Sequence, residues 1–371
     1  VPKVTFPHMG TMAIGVKGLL RELGVETIVP PPITKRTLEL GCRHSPEFAC
    51  LPLKINLGNF IEAAELGADT ILMAGGMGPC RFGYYAQVQR EILKDLGYEL
   101  EMVVLEPPEK HISQFIQRLR RITGNQPLWR VMKALRLAWH KLAALDRLER
   151  LVATLRARAY QPEEVEKAWR QVQVCLDQAR TLAEIKQAVT HSQQLLYSLP
   201  VDWAKKVVRI GLTGEIYCLL EPFANLEIER RLGALGVEVE RSLYLSHWIN
   251  EHLFRGLIPG IPDSHQACQA ASPYLNHFVG GHGQDTIGHA VLWAQKGFDG
   301  LIQVAPLTCM PEIVAQSILP QVSNELGIPA MTLYFDQHTG EAGLQTRLEA
   351  FVDLLVRQKE VNRRNESISR Y

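Results

Sequence analysis

The sequence predicts an α/β protein made of two parallel-sheet domains with a helical insert between them. Short apolar runs alternate with helix-length segments in residues 1–110 and again in 205–371, the pattern of βαβ units with helices on both faces of a sheet. In 111–204 the apolar period is helical and no strand signal interrupts it. The two α/β segments also echo each other in sequence.

In the first segment, residues 4–6 read as a strand, GVKGLLRELGV as a helix and 26–29 as a second strand. LGNFIEAAELG then gives a helix, 70–74 a buried strand, YYAQVQREILKDLG a helix and 101–105 a fourth strand, with the domain closing near Pro107 and Pro108. In the insert, Ile112, Phe115, Ile116, Leu119 and Ile122, and later Leu142, Leu145, Leu148, Leu151 and Leu155, recur at helical spacing. From Lys110 to Tyr160 twelve Lys and Arg face only Asp146 and Glu149, which reads as a solvated face or as a docking surface for an acidic partner or anionic cofactor. After Trp203 come the strand VVRIGL, the helix NLEIERRLGALGV, a strand over 238–242 and the helix TIGHAVLWAQKG. A strand over 300–304, the helix EIVAQSILPQVSNELG, a strand over 330–335 and a last helix over 345–357 complete the chain.

With 46% hydrophobic and 21% charged residues the chain can bury a large core, which excludes disorder as its main state. A formal charge of +1 argues against a surface built for nucleic acid or for an anionic membrane. No run reaches the roughly 18 to 20 apolar residues of a membrane helix. The opening VPKVTFPHMG has no charged region followed by an apolar one, so the expectation is a soluble cytoplasmic protein. Its seven cysteines are too few for a disulfide scaffold and are expected to be reduced thiols.

The stronger of the two internal echoes sets GADTILMAGGMGPC against GFDGLIQVAPLTC; the weaker sets LLRELGVETIV against RLGALGVEVER. In the stronger pair a helix ends at Gly, an Asp follows two residues later, a buried strand runs, and a loop delivers Cys80 or Cys309. Both cysteines therefore lie beyond a strand's carboxyl end, where open α/β sheets bind ligands. Cys50, in HSPEFACLPLKINLGN just before a helix, can face the same cleft. Structural zinc usually wants CxxC pairs, which are absent, whereas three spaced thiolates fit a 4Fe-4S cluster with one open iron; three buried thiols are the plain alternative.

The blocks PEFACLPLKINLGNFIEAAELGADTILMAGGMGPCRFGYY, GGHG at 280–283, CMPEIVAQSILP and LYFDQHTGEAGLQTRLEAFVDLL resemble the acyl-CoA dehydratase activase-related proteins. These are relatives of the 2-hydroxyacyl-CoA dehydratase subunits and the double-cubane cluster proteins. The resemblance covers both α/β segments and implies two flavodoxin-like (Rossmann-like) domains with a low-potential 4Fe-4S cluster between them. By motif position its ligands would be Cys50, Cys80 and Cys309, with Cys42 and Cys268 as further ligands if the cluster is a larger double cubane.

The resemblance further implies an electron from a separate ATP-hydrolysing iron-sulfur activator, an acyl-CoA or other small-molecule substrate, and a homodimer. The chain itself has no GxxxxGK[ST] loop. GPCRFGYY and GGHG belong to the activase-related branch, so a dehydratase substrate pocket does not carry over. Three functions stay open: radical or reductive chemistry at an open iron, a non-catalytic electron or cluster carrier, and a double-cubane reductase.

Around the cysteines, Gly280, Gly281 and Gly283 can let backbone amides approach a cofactor at a helix N-terminus, and His282 can donate to a sulfide or move a proton. Arg81 and Tyr84 after Cys80, Glu215 and Tyr217 after a strand, and Glu341 with Arg347 after another are the remaining candidates. Cys218 reads as core or as a residue lining the cleft, and Cys175 as packing.

Overall fold

The computed structural model describes residues 2–76, 79–105, 120–124, 126–252 and 264–368. It contains two four-stranded, all-parallel sheets, each flanked by helices, the arrangement of two flavodoxin-like domains. In the first sheet β1 (Lys3–Thr5), β2 (Glu26–Thr27), β3 (Thr70–Ala74) and β4 (Glu101–Leu105) are ordered β2-β1-β3-β4. In the second, β5 (Val208–Gly214), β6 (Val237–Arg241), β7 (Gly300–Pro306) and β8 (Ala330–Phe335) repeat that order as β6-β5-β7-β8. Buried on both faces, β7 is apolar except for Gln303, whose side chain is hydrogen-bonded.

The first domain carries α1 (Met12–Glu22), α2 (Lys35–His44), α3 (Leu51–Glu65) and α4 (Tyr85–Asp95). Then come α5 (Leu128–Arg158), α6 (Pro162–Gln178) and α7 (Leu182–Tyr197) of the insert. The second domain adds α8 (Ile216–Leu220), α9 (Ile228–Ala234), α10 (Leu245–His252), α11 (Ser264–Ala271), α12 (Gly283–Gln295), α13 (Met310–Leu326) and α14 (Glu341–Ile368).

The internal echo is reproduced in the hydrogen bonds. After α3, Gly67 turns left-handed and Asp69 Oδ1 accepts from the Lys3 amide at 2.8 Å, tying the helix end to β1. After α12, Gly297 makes the same turn and Asp299 Oδ2 accepts from the Arg209 amide at 2.8 Å, tying it to β5. The glycine supplies the positive φ that ends the helix, and the Asp fixes the entry into the sheet.

Several elements differ from the sequence reading, among them α8, α10 and α11, which it did not give, and β2, which is two residues long instead of four. The stretch around Cys42, given no element by the sequence, is α2, started by a capping box in which Thr34 and Thr37 bond reciprocally. The helix expected from Leu57 begins six residues earlier, with Pro52 in its first turn, where a missing N–H costs nothing. The last helix runs well past 357, because its charged continuation has good helix formers but no apolar period to mark it. Ile112, Phe115, Ile116 and Leu119, the proline pair 107–108, Lys110 and Arg118 lie outside the described residues.

The insert is built on a core of Leu145, Leu148, Val152, Val172 and Leu176. Several of its bases point inward. Arg156 bonds Glu166 at 2.6 Å and Arg158 bonds Glu238 at 2.6 Å, while Lys141 is buried and donates to the Asp177 carbonyl at 3.0 Å. That share of the basic run is bracing between elements, neither a solvated face nor a free docking surface. Among the described residues no helix is long and apolar enough to cross a membrane.

Candidate metal centre

Each sheet changes direction between its two central strands, β1 and β3 or β5 and β7, where open α/β sheets leave a crevice beyond the strand ends. β3 leads to Cys80, β7 to Cys309, and β5 directly into Glu215. The β1–α1 loop fastens the two domains at this level. Glu221 Oε2 accepts from the Gly10 amide at 2.7 Å and bonds His8 Nδ1 at 3.0 Å, and the Tyr217 hydroxyl donates to the His8 carbonyl at 2.9 Å. Gly10 lies so close to α8 that a Cβ would fall 2.2 Å from the Leu220 oxygen.

Cys50, Cys80 and Cys309 occupy one local position three times over. Cys50 precedes α3, Cys80 precedes the 3-10 turn Arg81–Tyr84 that enters α4, and Cys309 precedes α13; each is the capping residue. Ser, Thr, Asp or Asn usually stands there and accepts from the free amides of the first turn. None of the three sulfurs makes such a bond in ordinary geometry, yet the amides of Phe82 and Glu312 lie near enough to Cys80 and Cys309 to favour their thiolates. Two α-helix N-termini and one 3-10 turn thus carry a soft donor each.

The loops behind these cysteines are tied by Arg81. Its guanidinium donates to the Phe48 carbonyl at 3.2 Å, to the Thr308 carbonyl at 2.5 Å and to Thr308 Oγ1 at 2.8 Å, and Thr308 Oγ1 donates to the Phe48 carbonyl at 3.2 Å. Phe48 is two residues before Cys50, Arg81 follows Cys80, and Thr308 precedes Cys309. Thr308 has φ +71, and the Cys309 amide closes a turn onto the Pro306 carbonyl at 3.0 Å. Glycine is the usual residue at that turn position, and a β-branched side chain there costs on the order of 1–3 kcal/mol.

Burial raises the Cys50 and Cys80 thiols above the ordinary value and pushes Cys309 up furthest, helped by Glu215 and Glu312. The sulfurs feel one another: Cys80 contributes at both Cys50 and Cys309. The Tyr85 hydroxyl contacts Cys50 Sγ. Sequence reasoning singled out Tyr84, but Tyr84 is 71% exposed and Tyr85, one position on, is buried against the thiol. Cys218 reads as core; it is fully buried, and Glu215, Cys309 and Cys50 raise its thiol further.

A protic group flanks the sulfurs. Burial holds Glu215 above the ordinary carboxylate value even though it accepts from the Cys218 amide at 3.0 Å. Glu312, fully buried, is pushed up to about 7 by burial; it accepts from Gln303 at 2.8 Å and from Thr286 at 3.0 Å. Burial lowers His282, but the bond from its Nδ1 to Asp285 Oδ2 at 3.2 Å and the charge of Asp285 outweigh this and leave it raised. The GGHG loop closes tightly here: a Cβ on Gly280 would lie 2.9 Å from the Cys80 nitrogen, and one on Gly283 would lie 2.5 Å from the Pro311 oxygen.

The other sequence candidates are occupied elsewhere. Cys42 has Lys54, Asp336 and Glu47 as its charged neighbours, and Cys268 approaches Oδ1 of Asp285, the carboxylate that also bonds His282, at 3.8 Å. Tyr217 is used in the domain contact to His8. Glu341 pairs with Arg231 at 2.6 Å and Arg347 donates to the Thr332 carbonyl at 2.8 Å. Cys175 lies on α6 of the insert.

Among the described residues no three His, Cys, Asp or Glu side chains form a group able to hold a single metal ion. A cubane makes a different demand, since each thiolate binds its own iron at a separate corner and the donors need not meet at one point. The donor chemistry suits a cluster: three thiols at helix N-termini, on loops tied to one another, with glycine backbone closed against two of them. No protein-family model matches the sequence, and no curated protein matches it.

Proposed function

We propose that this chain is an iron-sulfur protein in which Cys50, Cys80 and Cys309 hold one 4Fe-4S cluster between the two α/β domains. The observation that carries this is the threefold recurrence of a cysteine at the capping position of a helix, on loops joined by the Arg81 bonds. Bound there, the cluster would supply one-electron chemistry to a substrate at its open iron. The electron would come from a separate ATP-hydrolysing protein, in keeping with the resemblance and with the lack of a phosphate-binding GxxxxGK[ST] loop in the sequence.

The chain's own residues provide three things. The helix ends offset the negative charge of the thiolates. The buried Cys50–Tyr85 contact orients one sulfur. Glu312, raised to about 7 by burial, can take up or release a proton near physiological pH, so charge arriving at the seam can be balanced locally. A second reading, a carrier without turnover, would draw on Cys218: this buried thiol feels the charge of Cys50 and Cys309 and is a candidate for the remaining iron.

Anaerobic reconstitution followed by iron and sulfide analysis tests the proposal. About four irons per chain with matching sulfide supports a single cubane, and about eight supports the double-cubane reading. A colourless, iron-free chain contradicts both.

A further inference from the structure

We propose that Arg81 is a positioning residue that latches the two domains across the cysteine seam by holding Thr308 in its left-handed conformation. Four hydrogen bonds carry the idea: one from Arg81 to Phe48, 33 residues away in the same domain, and three that join Thr308 to Arg81 and Phe48 across 227 and 260 residues. They connect the loops of all three cysteines without touching a sulfur. The fork of the guanidinium is needed, since it reaches Phe48 with one nitrogen and Thr308 with the other. Among the described residues no carboxylate pairs with Arg81, so its bonding is spent on the two loops.

Thr308 shows why a latch is required. Its turn, closed from the Cys309 amide to the Pro306 carbonyl, demands a positive φ that threonine resists. Such a residue persists where its surroundings over-determine it. Here Arg81 grips both its carbonyl and its hydroxyl. Releasing Arg81 lets the turn relax and carries Cys309 away from the Cys50 and Cys80 loops. The inference rests on the cluster reading only for its consequence in iron binding, because the latch bonds join protein groups alone.

The test is a cycle of Arg81→Ala and Thr308→Gly in the full chain, with Arg81→Lys alongside, read first by amide hydrogen exchange without iron. The reporters are the Cys309 amide, bonded to Pro306, and the Ala49 amide, bonded to Pro46. Arg81→Ala should speed exchange at Cys309 roughly tenfold, and Arg81→Lys nearly as much. In the Thr308→Gly background, where the turn carries no strain, the same change at Arg81 should alter Cys309 exchange by less than about twofold. Unchanged exchange in Arg81→Ala, or an equal rise in both backgrounds, overturns the latch. After reconstitution, Arg81→Ala should also retain less iron than Thr308→Gly. If the unsubstituted chain takes up no iron, the cluster reading fails while the exchange cycle still decides the latch.

Discussion

The two α/β domains solve the same folding problem alike and bring a cysteine to the seam differently. Asp69 and Asp299 perform one task at one place in each sheet, and Gly67 and Gly297 end the preceding helices in one way. At the seam the agreement stops. The helix before β3 has 15 residues and is capped by Cys50, whereas the helix before β7 has 13 and is capped by His282. The loop to Cys80 is rich in glycine, while the loop to Cys309 has none and forces Thr308 into a conformation glycine would favour. The lesson is that the scaffold contacts follow from the shared topology, while the seam contacts follow from what each half contributes. The first half supplies two thiols, and the second supplies one thiol with the acids and the imidazole.

Substitutions can break that comparison, beginning with the largest effect. Gly280 and Gly67 have φ of +90 and +93, but a Cβ on Gly280 meets the Cys80 backbone while one on Gly67 meets nothing within 4 Å. Gly280→Ala should therefore cost about 2–4 kcal/mol and Gly67→Ala only about 1, measured by chemical denaturation. Equal costs would mean that the GGHG loop is not closed against the Cys80 loop.

The insert offers the next test, because it holds the second half through buried charge. Asp146 accepts from the Ser246 amide at the start of α10 at 2.7 Å, and burial pushes it from the ordinary 3.8 to about 6. A carboxyl raised on folding stabilises most when protonated, so its contribution is present below about pH 4 and is lost as pH rises through 6. Asp146→Asn should escape that loss, gaining on the unsubstituted chain by up to about 3 kcal/mol between pH 4 and pH 7. A difference that stays flat with pH would contradict the buried placement.

The smallest effect separates neighbouring tyrosines. Tyr85→Phe should cost about 1 kcal/mol through the lost contact with Cys50, and Tyr84→Phe nothing measurable. Equal behaviour of the two would remove Tyr85 from the site.

Much of this architecture is legible in sequence because it is local. Short apolar runs and helical periodicity mark the strands and helices, and the Gly-x-Asp signal announces the repeat. What escapes is set by distance or by a single side of a helix. Arg81 and Thr308 are 227 residues apart, and nothing near either one announces the other. Tyr84 and Tyr85 are adjacent in sequence, so only the direction of the helix beginning at 85 decides which reaches Cys50. Cys218 looks like core because it is core; Cys309 comes near it through the second domain's own fold, and Cys50 only through the docking of the two domains.

The central claim is that three particular cysteines, drawn from both domains, act as a set. Its most direct test is the iron content of Cys50→Ser, Cys80→Ser, Cys309→Ser and Cys175→Ser chains, each purified and reconstituted without oxygen. A shared cluster is also folding free energy, so thermal midpoints measured with and without iron accompany the assay. The account predicts loss or conversion of the cluster, and loss of iron-dependent stabilisation, at positions 50, 80 and 309, with Cys175→Ser unchanged. Equal iron in all four chains would contradict it.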